Sequence, residues 1–258
     1  MKKINLAGAS GIILCLAAVI YGIITNGGLA SISRYLHLPS LIITLGGSLF
    51  AVLGTCDSFK DFRDGLKGAV DAYKKPAFNT SELSDKLVQL SDISRKEGLL
   101  ALENEDVHES PFLDKALKLI VDGTEPELTK DILETELNHS FERGKNQVKF
   151  WQTLGGFAPA WGMIGTLLGL INMMNSMGND PSAIGGSMAL ALITTLYGSL
   201  IANWLCMPIS RKLEKKHEQD YIGMELIIEG ILSIQYGENS RILREKITAL
   251  LDEEKLAG

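Results

Sequence analysis

A-L-I-T-T-L-Y-G-S-L, Ala191 to Leu200, lies in an uncharged run from Ala183 to Ser210 that also holds Pro208. On a helix, Ser187, Ala191, Thr194, Gly198 and Ala202 recur every three or four positions, so one face is small and faintly polar. Leu, Ile and Trp cover the rest. In hydrocarbon a small face lets another helix approach closely, and a threonine hydroxyl must bond to a carbonyl, a neighbour or water. A helix-breaking proline at the same depth argues against a plain lipid anchor. The run therefore predicts a membrane-spanning helix with a close helical neighbour.

Three other uncharged runs flank it: Ile4 to Thr25, Leu38 to Thr55, and Phe150 to Ser176. Each is near or above the ~18 apolar residues needed to cross a bilayer. The 258 residues are 46% hydrophobic and 22% charged, with a mean hydropathy of +0.13, too apolar for an ordinary soluble domain and too charged for a pure membrane bundle. The fold class expected is an all-α integral membrane protein: four transmembrane helices and a helical cytoplasmic domain inserted between spans 2 and 3. The divisions are 1–55 for helices 1 and 2, 56–149 for the cytoplasmic domain, 150–210 for helices 3 and 4, and 211–258 for cytoplasmic C-terminal helices.

The formal net charge of −6 is local, since residues 57–149 hold 20 acidic and 14 basic side chains and the rest of the chain balances at 11 and 11. That distribution argues against nucleic acid and for a basic or mixed-charge protein surface. Lys2 and Lys3 precede the first run, the insert is rich in Lys and Arg, and Arg211, Lys212, Lys215 and Lys216 follow the fourth. Both termini and the insert are thereby placed in the cytoplasm. A cleaved leader is disfavoured because the first run is too long and three more follow. Cys15, Cys56 and Cys206 have no paired spacing, so neither a disulfide framework nor a metal site is indicated.

The first run is broken by Asn26-Gly27-Gly28, and the second begins at Pro39, beside an interfacial His37. Gly46-Gly47 calls for a close helical contact. Phe59, Phe62, Leu66, Ala69, Val70 and Tyr73 mark one face of a helix expected to continue from the second span. Asn79 to Glu82 offers a capping box, Ser110-Pro111 opens another helix, and Thr124 to Glu127 caps a third that leads into the third span without a clear break. The insert carries no catalytic constellation: His108 and His139 lack partners at ligand spacing, and no phosphate loop is present. No cofactor is implied, and an enzyme is not expected. Two amphipathic segments, Tyr221 to Gln235 and Ser240 to Leu256, are expected to pack on the insert.

In the third span Gly155, Gly162 and Gly169 repeat every seven, with Ala158, Gly165 and Thr166 beside them. Gly162, Gly165 and Gly169, with Ala191 and Gly198 of the fourth span, are the expected packing residues. Pro159 lies inside this helix and is a candidate hinge. None of the four runs contains Asp, Glu, Lys or Arg, although ion routes through membranes are normally marked by such groups. If these faces line a route, the binding carboxylate comes from a partner.

The A-L-I-T-T-L-Y-G-S-L segment with Pro208 resembles the signature of the MotA/PomA family, the larger subunit of the flagellar motor stator, more distantly related to TolQ and ExbB. The resemblance extends over nearly the whole chain, through P-S-L-I-I-T-L-G-G, R-K-E-G-L-L-A-L-E, A-P-A-W-G-M-I-G-T-L and G-E-N-S-R-I-L-R-E-K. It implies a homopentamer around a MotB (or PomB) dimer, whose aspartate binds the translocated ion. By the same resemblance Pro159 and Pro208 lie at the pathway, Thr195 faces the partner aspartate, and Arg95 with Glu103 contact the rotor protein FliG. Thr166, Thr194 and Thr195 offer hydroxyl oxygens that would suit Na+, yet threonines also satisfy backbone or water. Protons are favoured and Na+ is the alternative. A TolQ/ExbB-like energiser of an envelope process is a second reading, weakened by four spans and an inward N-terminus. A passive oligomeric scaffold is a third, which leaves the prolines and threonines without a reason.

Overall fold

The computed structural model describes residues 6–28, 32–105, 110–176 and 183–257. Lys2, Lys3 and His108 lie outside the described residues. All regular structure among the described residues is helical. The chain divides into two compact units, one of Met1–Lys75 and Lys145–Glu214, the other of Pro76–Gly144 and Lys215–Gly258.

The first unit opens with α1, Leu6–Gly27, which stops where Gly28 turns to φ +74°. After a short α2, Ile32–Tyr35, comes α3, Leu38–Leu41, capped by His37 and with Pro39 in its first turn, where a missing N–H costs nothing. The His37 ring nitrogen accepts from the Ser40 N–H and pairs with the Ser40 hydroxyl at 2.8 Å, a capping role that accounts for an imidazole at this boundary. A π-helical turn, Ile42–Gly46, leads into α4, Gly47–Leu53. Gly47 lies under the Trp161 ring, leaving no room for a Cβ, whereas Gly46 meets only its own Ile42.

The second apolar helix does not run on into the next, contrary to expectation. Beyond Leu53 the Thr55 and Cys56 N–H groups fold back on the Val52 and Leu53 carbonyls, and the Thr55 hydroxyl donates to Val52 O at 2.7 Å. Extended Ser58 then caps a new helix, α5, Phe59–Asp71, by accepting from the Lys60 N–H. The buried strip of α5 also differs from the apolar stripe in its sequence. Phe59, Leu66 and Val70 are exposed, while Gly65 and Gly68 are buried because the Phe150 and Trp151 rings press on them. Trp151 donates its indole N–H to Gly65 O at 3.0 Å, and Val52, Leu154, Ile209 and Leu213 complete this core.

In the second unit α6, Thr80–Glu97, begins after Asn79, whose backbone carbonyl accepts from Leu83 N–H although its side chain makes no cap bond. A 3-10 segment, Leu99–Asn104, follows, and α7, Pro111–Val121, starts at Ser110, whose hydroxyl accepts from Leu113 N–H at 3.2 Å. The next helix, α8, runs unbroken over Pro126–Ser176, its first part in this unit and the remainder in the first. From Ala183 the chain is again continuously helical: α9, Ala183–Leu200, a π turn over Ile201–Cys206, and α10, Met207–Gln235. The Tyr221 to Gln235 segment is thus the far end of one long helix. α11, Ser240–Ala257, follows a turn at Gly237, φ +69°. Leu87, Leu90 and Ile120 pack with Leu226, Ile227, Ile231 and Leu243 in the core of this unit, each at most 1% exposed. Each such side chain contributes about 1.5–3 kcal/mol on burial.

Candidate functional site

The helices α8 and α9 meet along the glycines marked in the sequence. A Cβ on Gly169 would lie 2.7 Å from Ala191 N and Ser187 O, one on Gly162 2.9 Å from Thr194 O, and one on Gly198 2.6 Å from Ala158 O. At Gly165 the Thr194 side chain fills the space. The successive pairings, 169 with 187–191 and 158 with 198, describe an antiparallel contact in which backbone rests on backbone. Pro159 is part of it, with its Cα 3.1 Å from the position of a Gly198 Cβ. The α8 helix passes through Pro159 without interruption, although proline donates nothing to the Gly155 carbonyl. Pro208 likewise stands within helix, two residues beyond the π turn over Ile201–Cys206.

This contact separates the three threonines. Thr194 is fully buried, its hydroxyl directed to Leu190 O (2.9 Å) and Ala191 O (3.0 Å). Thr195, one hundred degrees further round the helix, is exposed, and Thr166 is half-buried. The Thr166 and Thr195 hydroxyl oxygens are 2.5 Å apart, and both reach the Ala191 carbonyl, at 3.0 and 3.3 Å. Two hydroxyls and a carbonyl thus converge at the edge of two helices that carry no charged side chain between 150 and 176 or 183 and 210. Such a cluster offers oxygen atoms of the kind that a hard cation or a proton takes.

A second hydroxyl stripe escaped the sequence reading. Ser40, Thr44 and Ser48, spaced by four, are all fully buried. Ser40 donates to Leu190 O at 3.5 Å and Thr44 to Thr194 O at 3.4 Å, so α3 and its π turn dock on the carbonyls of α9. The four-residue spacing was the available signal. Tyr197 was missed as well: its hydroxyl accepts from His37 N–H at 3.2 Å and donates to Tyr35 O.

One turn past Pro208, Lys212 places its ammonium 3.9 Å from the Tyr73 ring centroid with no hydrogen-bond partner, and burial lowers its pKa. Arg95 and Glu103, in the second unit, are both exposed. They do not lie along one helix, because Gly98 at φ +88° ends α6 and a 3-10 segment carries Glu103. No group of three metal-ligating side chains occurs among the described residues.

Two helices, Pro126–Ser176 and Ile184–Gln235, are long and apolar enough to cross a membrane, and Leu14–Thr25 and Leu38–Leu53 are shorter apolar stretches. The uncharged parts of two long helices, packed on each other through glycine with a hydroxyl cluster at their edge, are the features of a helical membrane protein. The MotA/TolQ/ExbB proton channel family matches residues 104–225. Motility protein A of Treponema phagedenis is 38% identical over 235 residues, 90% of either chain, and chemotaxis protein PomA of Vibrio alginolyticus is 36% identical over 98% of each. The solved flagellar MotAB stator complex from Bacillus subtilis contains a chain that superimposes with a TM-score of 0.83 at 28% identity, covering 97% of this chain and 98% of that one. The chain belongs to the MotA/PomA family of flagellar motor stator subunits.

Proposed function

We propose that this chain is the stator subunit that, with a MotB (or PomB) dimer, couples inward ion flow to torque on the flagellar rotor. The observation that carries the reading is the Thr166–Thr195 hydroxyl pair on the Ala191 carbonyl, at the exposed edge of an uncharged, glycine-packed helix pair. Alone it has no titratable group, so the ion-binding carboxylate belongs to the partner. In this reading the four apolar runs span the inner membrane with both termini cytoplasmic, and 56–149 with 211–258 form the cytoplasmic part. Several copies, five by family likeness, surround the partner. Thr195 and Thr166 face the pathway, Thr194 supports them from within the chain, and Pro159 and Pro208 shape the helices on either side. Arg95 and Glu103 meet FliG. An exposed ion pair contributes only ~0–1 kcal/mol, so they serve to register a repeated contact. One charge crossing yields ~2.3 kcal/mol per 100 mV, enough to bias a small step without breaking a buried interface. Protons are the favoured ion.

The test is expression in a strain with filaments but no stator of its own. Restored rotation supports the reading, and speed that follows external sodium at fixed pH would replace protons by Na+. Filaments that stay motionless while the chain reaches the membrane with its partner would overturn it. Pro159→Leu and Pro208→Leu are expected to keep assembly and lose torque, whereas a passive scaffold would lose assembly or nothing.

A further inference from the structure

In the turn Tyr35–Leu36–His37 the Leu36 N–H bonds to Ser33 O and the His37 carbonyl accepts from Leu41 N–H, and a side chain from α9 serves two further backbone groups. The Tyr197 hydroxyl uses both of its capacities there, accepting from the His37 N–H and donating to the Tyr35 carbonyl. His37 in turn caps α3 and pairs with the Ser40 hydroxyl. Ser40 continues the link to Leu190 O, and Thr44, in the π turn, to Thr194 O. Three side chains thus tie the segment 35–44 to one stretch of α9, residues 190–197. That stretch also holds Ala191 and Thr195, whose oxygens meet Thr166. A helix clamped at Leu190, Thr194 and Tyr197 cannot rotate about its axis without breaking these bonds, and rotation is the motion that would swing Thr195 away from Thr166.

We propose that Tyr197 is a positioning residue: with Thr44 it fixes the rotation of the α9 turn that presents Thr195, and so sets how strongly the site holds the coupling ion. The assignment rests on the stator reading above. A loosened turn has its oxygens misplaced when the ion arrives, and a bound cluster is harder to reach. Weaker holding of the ion therefore appears before any loss of maximal speed.

The experiment uses the full complex in a stator-less strain, measuring rotation of single motors as the external coupling ion is varied and counting stator units from stepwise speed increments. For Tyr197→Phe, which removes one hydroxyl, the ion concentration giving half-maximal speed is expected to rise at least threefold, with speed per unit at saturation nearly unchanged. Thr44→Val, of equal volume, should shift it in the same direction, and Thr44→Ser should restore it. A merely structural role would lower the number of units and leave the half-maximal concentration where it was. That result in either single variant, or a Thr44→Ser no better than Thr44→Val, would overturn the assignment. If Tyr197→Phe does not assemble, the Thr44 pair decides alone. Failure of the unmutated chain to restore rotation would count against the stator reading instead.

Discussion

Gly198 and Gly156 are both helical glycines near the middle of apolar helix, yet their surroundings differ. A Cβ at 198 would press on the Ala158 carbonyl at 2.6 Å, while one at 156 would meet nothing within 4 Å. Gly198→Ala is expected to destabilise the protein by about 1–3 kcal/mol through overpacking against backbone that cannot yield. Gly156→Ala should be neutral or stabilising by up to ~1 kcal/mol through helix propensity. Thermal unfolding in detergent distinguishes the two, and equal shifts would refute the backbone contact. The sequence already separated these residues in part, since Gly198 lies on the stripe with Ala191 and Thr194. It also placed Thr195 off that stripe, which is why this threonine alone of the adjacent pair is exposed. What it did not reveal was that the stripe is consumed within the chain, by α8, rather than by a partner.

Helix ends were legible where local chemistry decides them. Ser110-Pro111 begins α7, and Gly28 ends the first helix with a positive φ. The break at Gly98 is of the same kind, at φ +88° and ψ 166°, a region open essentially to glycine. Gly98→Ala is expected to cost about 1–3 kcal/mol, and limited proteolysis should then cut more readily within Leu99–Asn104. Unchanged cleavage would show that an alanine is accommodated there. By contrast, the orientation of α5 was not legible, because rings from α8, distant in sequence, choose which of its faces is covered. Period alone favours Phe59, Leu66 and Val70; the Phe150 and Trp151 rings select Gly65 and Gly68 instead. The union of the third span with the helix before it, on the other hand, followed from the lack of any turn signal between Thr124 and Phe150.

The second unit depends on segments far apart in the chain, and a small ionic cluster ties two of them together. Lys246 on α11 lies 2.9 Å from Glu229 of α10 and 2.9 Å from Glu238 in the turn, which also accepts from the Ser233 hydroxyl at 2.6 Å. The Ser233 hydrogen bond, then the Lys246 ammonium, holds the Glu238 carboxyl below its ordinary range, and Glu238 followed by Glu229 raises Lys246. The carboxylate part of this stability is present above an ordinary Glu pKa of ~4.3 and is lost as pH falls through the lower folded value. The lysine part is present below ~10.4 and is lost as pH rises through the raised folded value. With Lys246 37% exposed, Lys246→Ala is expected to cost only ~0–1 kcal/mol at pH 7. Its melting midpoint should converge with that of the unmutated chain as pH falls through the lowered folded value of Glu238, and a gap that persists below it would mean the lysine acts by packing. The same unit has a consequence for synthesis. Leu87 and Leu90 emerge from the ribosome early, but Leu226, Ile227, Ile231 and Leu243, which cover them, come after all four apolar runs. Because chains fold as they are made from the N-terminal end, this hydrophobic centre waits, half-built, through the translation of the third and fourth runs. Its early half is therefore apolar surface without its cover until α10 and α11 have been made.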